Sequence, residues 1–268
     1  MRIADWIEIG RMDELGRMDT PAHRLDARAK AIVTLAFVVI VMSFPRYTVS
    51  ALTPFLLYPV ALLALGRIPA RLILKKILVA APFALAIGMF NPFMDRVPVA
   101  SLGPFVVTGG WVSFFSILFR FVLTVGAALA LVACTGMYRL GTALEQLGVP
   151  RAFVVQLLFL HRYLFVVADA GAKMMRSVEL RSAGGRALRP RVYGSLIGHL
   201  LLRALDRAER VQRAMAARGF DGVLRATRRS SFRGADWGFV GGCLVFFAAA
   251  RAWNLAEAAG GLLMRVAR

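Results

Sequence analysis

The chain has 268 residues, 59% of them hydrophobic, a mean hydropathy of +0.65 and a net charge of +19. Apolar runs of bilayer length exclude an ordinary soluble domain, and they make the positive surplus a matter of membrane sidedness rather than of nucleic-acid binding. The two cysteines, Cys134 and Cys243, lie in separate apolar runs, so neither a disulfide framework nor a CxxC metal or redox pair is present.

Residues 1–30 are polar and mixed in charge. Ile3, Trp6, Ile7 and Leu15 could form a short interfacial helix, and no basic-then-apolar signal peptide is recognisable. A first span is predicted over 31–44, extended back over Arg28 and Lys30, whose long stems allow the charges to snorkel. Pro45-Arg46 reads as a tight turn and 48–65 as the returning span. Arg67, Arg71, Lys75 and Lys76 form a basic patch before a third span over 77–90. The stretch 91–110, rich in Pro and Gly, reads as a loop, and 111–134 as the fourth span.

Arg120 is the one charge well inside a clear span, with Ser113, Ser116 and Thr124 at helical spacing from it. It can snorkel or bond a backbone carbonyl, or the polar stripe can face a partner helix. Gly126, Ala130 and Cys134 form a small-residue ridge, as do Gly238 and Gly242, and such ridges admit close helix packing in lipid.

After Met137 the pattern changes. Residues 139–147 read as a short helix closed by Gly148 and Pro150, and 153–183 as a long helix stopping at Gly184-Gly185. Its first half, 153–171, is apolar enough to span. It also carries Gln156, His161, Arg162 and Asp169, and a crossing would put one of two basic flanks outside. It is therefore predicted to lie along the membrane, with His161 and Arg162 as a buried pair or an interface contact.

Residues 191–218 repeat the design. Tyr193, Leu196, Ile197, Leu200, Leu201, Ala204, Ala208, Val211 and Met215 follow helical spacing, and Asp206–Arg210 and Glu209–Arg213 are acid-first i, i+4 pairs. His199 reads as a core residue. The stripe Tyr193, Leu196, Leu200 and Ala204 is expected to cross the preceding helix near Leu157, Leu160 and Leu164, at about −50° if i±4 ridges interdigitate. A final span is predicted over 237–255. The result is an all-α integral membrane protein of about five transmembrane helices plus cytoplasmic-side amphipathic coupling helices. Its parts divide as 1–30, 31–134, 135–235 and 236–268, with the N-terminus cytoplasmic and the chain multi-pass in the inner (plasma) membrane.

The sequence offers no chemistry of its own. HExxH, GxSxG and the phosphate-binding glycine loop are all missing, and no carboxylate pair lies within a span. No catalytic, metal or cofactor role is assigned, and the chain is not expected to be an enzyme. What stands out is charge: residues 173–233 hold fifteen Lys and Arg against four Asp and Glu. Each long helix there ends in Arg and then Gly, at Arg181 and at Arg218. An arginine in a last turn gains about 0.3–1 kcal/mol from the helix dipole and needs no partner. The same guanidinium fork is shaped to bind a partner carboxylate at two points.

Ala217-Arg218-Gly219, after a long amphipathic helix and before a final span, resembles the Ala-Arg-Gly signature of the T components of energy-coupling factor transporters. His23-Arg24-Leu25-Asp26-Ala27-Arg28-Ala29-Lys30 resembles their Leu-Asp-Pro-Arg-x-Lys entry motif, with Ala27 where Pro is usual. Leu180-Arg181-Ser182 keeps only the central Arg of the upstream motif, and Arg176 is the other candidate for that contact. The resemblance covers roughly 25–255 and is closest to the cobalt/nickel-type subfamily. It implies a scaffold that links a membrane substrate-capturing subunit to two cytoplasmic ATP-binding subunits through its Arg-tipped helices. The competing reading is a self-contained cation channel or secondary carrier, which should gather polar residues near mid-membrane. Arg120 alone answers to that.

Overall fold

The computed structural model describes residues 20–45, 49–94, 98–102, 105–181, 190–222 and 232–252. The chain is built from α1 (Pro21–Arg24), α2 (Ala27–Met42), a 3-10 segment (Ser50–Leu56) continuing into α3 (Leu57–Gly66), and α4 (Ala70–Gly88). Then follow α5 (Asn91–Met94), a two-stranded antiparallel hairpin of β1 (Pro98–Leu102) and β2 (Phe105–Thr108), and α6 (Gly109–Thr135). The remaining helices are α7 (Met137–Gln146), α8 (Arg151–Arg181), α9 (Pro190–Ala217) and α10 (Gly234–Ala252). They fall into two compact units that separate between Gly136 and Met137. One holds α1 to α6 and α10; the other holds α7, α8 and α9.

In the first unit an aromatic cluster forms the centre. Phe37 of α2 lies 4.9 Å from the Tyr58 ring and 5.6 Å from that of Phe247, which sits 5.5 Å from Tyr58. Val33, Val41, Leu52, Leu62, Leu123, Ala127 and Ala130 close round it. Small residues let the helices approach: a Cβ on Gly66 would fall 2.7 Å from Cys134 Sγ, so α3 and α6 pack almost backbone to side chain there. Ala130 and Cys134 of the predicted ridge are completely buried. The all-α reading holds, with the short hairpin as its one exception among the described residues.

By length and composition, α6, α8 and α10 can each cross a bilayer, and Ser50–Gly66 is a shorter apolar segment. At 16 residues, α2 reaches only about 24 Å at the α-helical rise, short of a hydrocarbon core of about 30 Å.

Two stretches differ from expectation. Residues 91–110 are not a plain loop: they contain α5 and the hairpin, with Ala100 opposite Val107 and Leu102 opposite Phe105. Val99, Val106 and Val107 supply the β propensity that the Pro and Gly count obscured. The helix predicted over 77–90 also starts earlier, within the basic patch. Pro69 takes the N-cap position with extended backbone, and α4 begins at Ala70, so Arg71, Lys75 and Lys76 sit on its first two turns.

In the second unit α7 ends as its sequence proposes. Gly148 adopts φ +102°, the Val149 N–H donates to Leu144 O at 3.0 Å and the Gly148 N–H to Glu145 O at 3.2 Å, the paired bonds of a Schellman cap. Arg151 Nε pairs with Glu145 at 2.9 Å across that turn. Leu158 of α8 packs on Gly141, where a Cβ would lie 2.9 Å from its Cδ2.

Helices α8 and α9 run antiparallel. Leu200 Cδ2 would lie 3.3 Å from a Cβ at Gly171, and the rings of Phe159 and Phe220 are 6.4 Å apart. Leu200 therefore meets α8 at Gly171, and not at the expected Leu157, Leu160 and Leu164; Leu160 is 62% exposed. Glycine has no side chain to hold a neighbour off, so Leu200 settles beside it. His199 and Arg162 are exposed rather than buried.

Candidate coupling site

The tip of α9 is shaped by residues 215–220. Gly219 has φ +73°, the Phe220 N–H donates to Met215 O at 3.0 Å and the Gly219 N–H to Ala216 O at 3.0 Å. This is again a Schellman cap, with Gly219 in the left-handed position that glycine occupies without steric cost. Arg218 is thereby the C-cap residue, exposed beside Ala217 and Gly219. One turn earlier Arg213 and Glu209 form the predicted i, i+4 pair at 2.9 Å.

At the end of α8, Arg181 is the final helical residue and is exposed, with Leu180 79% exposed next to it. Ser182 and the predicted stop at Gly184-Gly185 lie outside the described residues, as do the N-terminal Ile3, Trp6, Ile7 and Leu15 and everything past Ala252. Because Gly171 pairs with Leu200 while Phe159 pairs with Phe220, the two tips are at opposite ends of the helix pair. Twenty-two residues separate Phe159 from Arg181, which is roughly 33 Å along α8. Two guanidinium forks, each at a helix end and well apart, can grip two separate acidic surfaces.

Arg120 is in the other unit, and its guanidinium donates to the carbonyl of Pro45. Of the alternatives the sequence left open, the carbonyl bond is the one observed. The polar stripe turns inward: Ser113 and Ser116 are 4% and 1% exposed, and Thr124 Oγ1 donates to Arg120 O at 2.8 Å. Arg251 joins it at the same turn, donating to Ser43 O at 3.4 Å with its guanidinium carbon 4.6 Å from the Phe44 ring centre. Together the two arginines cap the carbonyl end of α2, as cations near a helix C-terminus do. Cβ atoms on Gly238 or Gly242 of α10 would meet nothing within 4 Å.

The entry motif proves to be structural. Lys30 does not snorkel; it is 1% exposed, and its Nζ donates to Ala22 O at 3.1 Å and to Cys134 O at 3.0 Å. A buried ammonium is tolerable only when hydrogen bonded, and here it caps the last turn of α6. Asp26 caps α2 by accepting the Arg28 N–H at 2.9 Å. The Asp26 N–H donates in turn to Asp236 Oδ1 at 2.8 Å, while Asp236 Oδ2 accepts the Arg233 N–H at 2.8 Å. One carboxylate thus joins the starts of α2 and α10. Asp236 carries a capping signal in the sequence, an acid three residues after the N-cap position Arg233. Nothing local pointed to Arg251.

Among the described residues no three His, Cys, Asp or Glu side chains gather as a metal site. Residues 18–229 match the family described as CbiQ, cobalt transport protein. The chain is 29% identical to an energy-coupling factor transporter transmembrane protein EcfT of Leuconostoc gelidum subsp. gasicomitatum, over 77% of this chain and 82% of that protein. It is 26% identical to the EcfT of Heliobacterium modesticaldum, over 79% of this chain and 84% of its relative.

Proposed function

The chain belongs to the CbiQ cobalt transport protein family, and on that footing we propose that it is the transmembrane coupling component of an energy-coupling factor importer. Its cargo is a transition-metal ion, cobalt or nickel. It is not an enzyme: two cytoplasmic ATP-binding subunits hydrolyse ATP, and a membrane partner captures the ion. The chain is multi-pass in the inner (plasma) membrane with its N-terminus cytoplasmic. The observation that carries the reading is Arg218, presented by a Schellman cap at the exposed end of a 28-residue amphipathic helix.

The mechanism is mechanical. An acidic groove on each ATPase would take one arginine fork, Arg218 at one end of the α8–α9 pair and Arg181 at the other. Bidentate pairing fixes orientation as well as distance, so a rotation of the ATPase is passed to the helix as a torque instead of being lost in a swivelling contact. Leu200 seated on Gly171 ties the helices together, so displacement of either tip moves both. Their exposed apolar residues, among them Phe153, Leu160, Ile197 and Leu201, would carry that motion to the substrate-capturing subunit.

Arg218→Glu reverses the charge at the tip without touching a buried residue. It should abolish ATPase-driven uptake while the chain still inserts in the membrane. Normal uptake by that variant would refute the docking role of Arg218. Ion transport by the purified chain alone, reconstituted without ATPases, would identify a self-contained carrier instead.

A further inference from the structure

The family reading does not use the basic patch at the junction of α3 and α4. No Asp or Glu occurs in the sequence between Asp26 and Asp95, whereas Arg67, Arg71, Lys75 and Lys76 crowd into ten residues. Arg67 is exposed at the C-terminal turn of α3, in the left-handed conformation with φ 51°. Arg71 and Lys75 are exposed one helical turn apart on the first two turns of α4. The first turn of α4 has no acidic residue, so the positive end of its dipole adds to the field of the side chains.

The same side of the helix then becomes apolar. Leu78 and Val79 follow Lys75 by three and four residues, Phe83 follows Val79 by four, and they are 71%, 74% and 77% exposed. From Lys75 to Phe83 is about 12 Å along the axis, within one leaflet of a hydrocarbon core about 30 Å thick. We infer that Arg67, Arg71 and Lys75 bind the phosphate headgroup of an anionic phospholipid whose acyl chains lie on Leu78, Val79 and Phe83. An acidic surface of a soluble subunit would match the charge of the patch but would leave the adjoining apolar strip uncovered. One lipid molecule covers both, in the right order and at the right spacing. The inference rests on the membrane character of α4 and is independent of the coupling role.

The test uses the full chain in nanodiscs of phosphatidylcholine with a minor fraction of phosphatidylglycerol. The lipid retained by the protein is read by native mass spectrometry after mild detergent extraction. The wild type should be enriched in phosphatidylglycerol, and enrichment should fall about fivefold per neutralised cation, as expected for basic residues beside an anionic surface. Arg71→Gln/Lys75→Gln should therefore lose about twenty-fivefold, keeping only the share that Arg67 contributes. Arg67→Gly, which suits its left-handed backbone, should show a single-charge loss in a protein of unimpaired fold. Arg203→Gln, an exposed cation on α9, should change nothing. No enrichment in the wild type, or equal enrichment in the double variant, would overturn the proposal. So would variants that keep their lipid but lose an ATPase subunit, since the patch would then face a protein.

Discussion

Lys30 spends its charge on two backbone carbonyls, Ala22 O and Cys134 O, in a place where water does not reach. Replacing it with methionine keeps most of the volume and removes the donor. Each carbonyl left bare should cost about 1–3 kcal/mol, so Lys30→Met should melt several degrees lower in detergent than the parent. An unchanged melting temperature would mean that the ammonium does not hold α1, α2 and α6 together. A lysine at the start of a predicted span ordinarily snorkels. One of the partners of Lys30 is 104 residues away, and no local pattern encodes that separation. Arg120 is a milder case. Its spacing announced a polar contact, but the choice between a carbonyl of its own chain and a partner helix depended on where Pro45 lay.

At the level of the helix, the α9 tip is a local construction, and the sequence was sufficient to read it. Gly219 has φ +73° with nothing within 4 Å of a built Cβ, so the requirement for glycine is conformational and not one of space. Gly219→Val should cost about 1–2 kcal/mol for the left-handed backbone of a β-branched residue, fraying the turn that presents Arg218. Gly219→Asn, which tolerates that conformation, should retain most ATPase-driven uptake. Equal uptake by the two variants would show that the cap does not position the arginine. The α8–α9 contact lies at the opposite extreme. The apolar stripe of α9 was legible, but many registers of two amphipathic helices bury similar areas. Gly171 decides among them by offering Leu200 a gap, and only the assembled pair reveals which glycine is used.

For the whole molecule the topology turns on α8. It is 31 residues long, about 46 Å, longer than a bilayer core needs. Length and hydropathy qualify it to cross, yet Asp169, Lys173, Arg176 and Glu179 occupy its second half and Asp169 pairs with Lys173 at 2.7 Å. The expected arrangement has both ends on the cytoplasmic side. Leu147→Cys and Leu180→Cys, at exposed positions beside the two ends, should both resist an impermeant thiol reagent added outside intact cells. Both should react once the membrane is opened. Reaction at only one of them from outside would establish a crossing and place one arginine tip on the far side from the ATPases.

What the sequence by itself determined is whatever depends on composition or on neighbours close along the chain. That includes the membrane class from the length of its apolar runs, the helix ends at Gly148 and Gly219, the Glu209–Arg213 pair, and the Arg218 tip with its family resemblance. Tertiary structure alone decided the matters settled between distant segments: Lys30 on Cys134 O, Asp236 joining the starts of α2 and α10, Arg251 beside Arg120 at the Ser43–Pro45 turn, and Leu200 on Gly171. The physical reason is that hydrogen-bond geometry and steric fit are short-ranged. Caps and i, i+4 pairs are close along the chain and so are visible in it. A buried ammonium or carboxylate takes whichever carbonyl or N–H the fold brings within about 3 Å, and that is a property of the folded bundle.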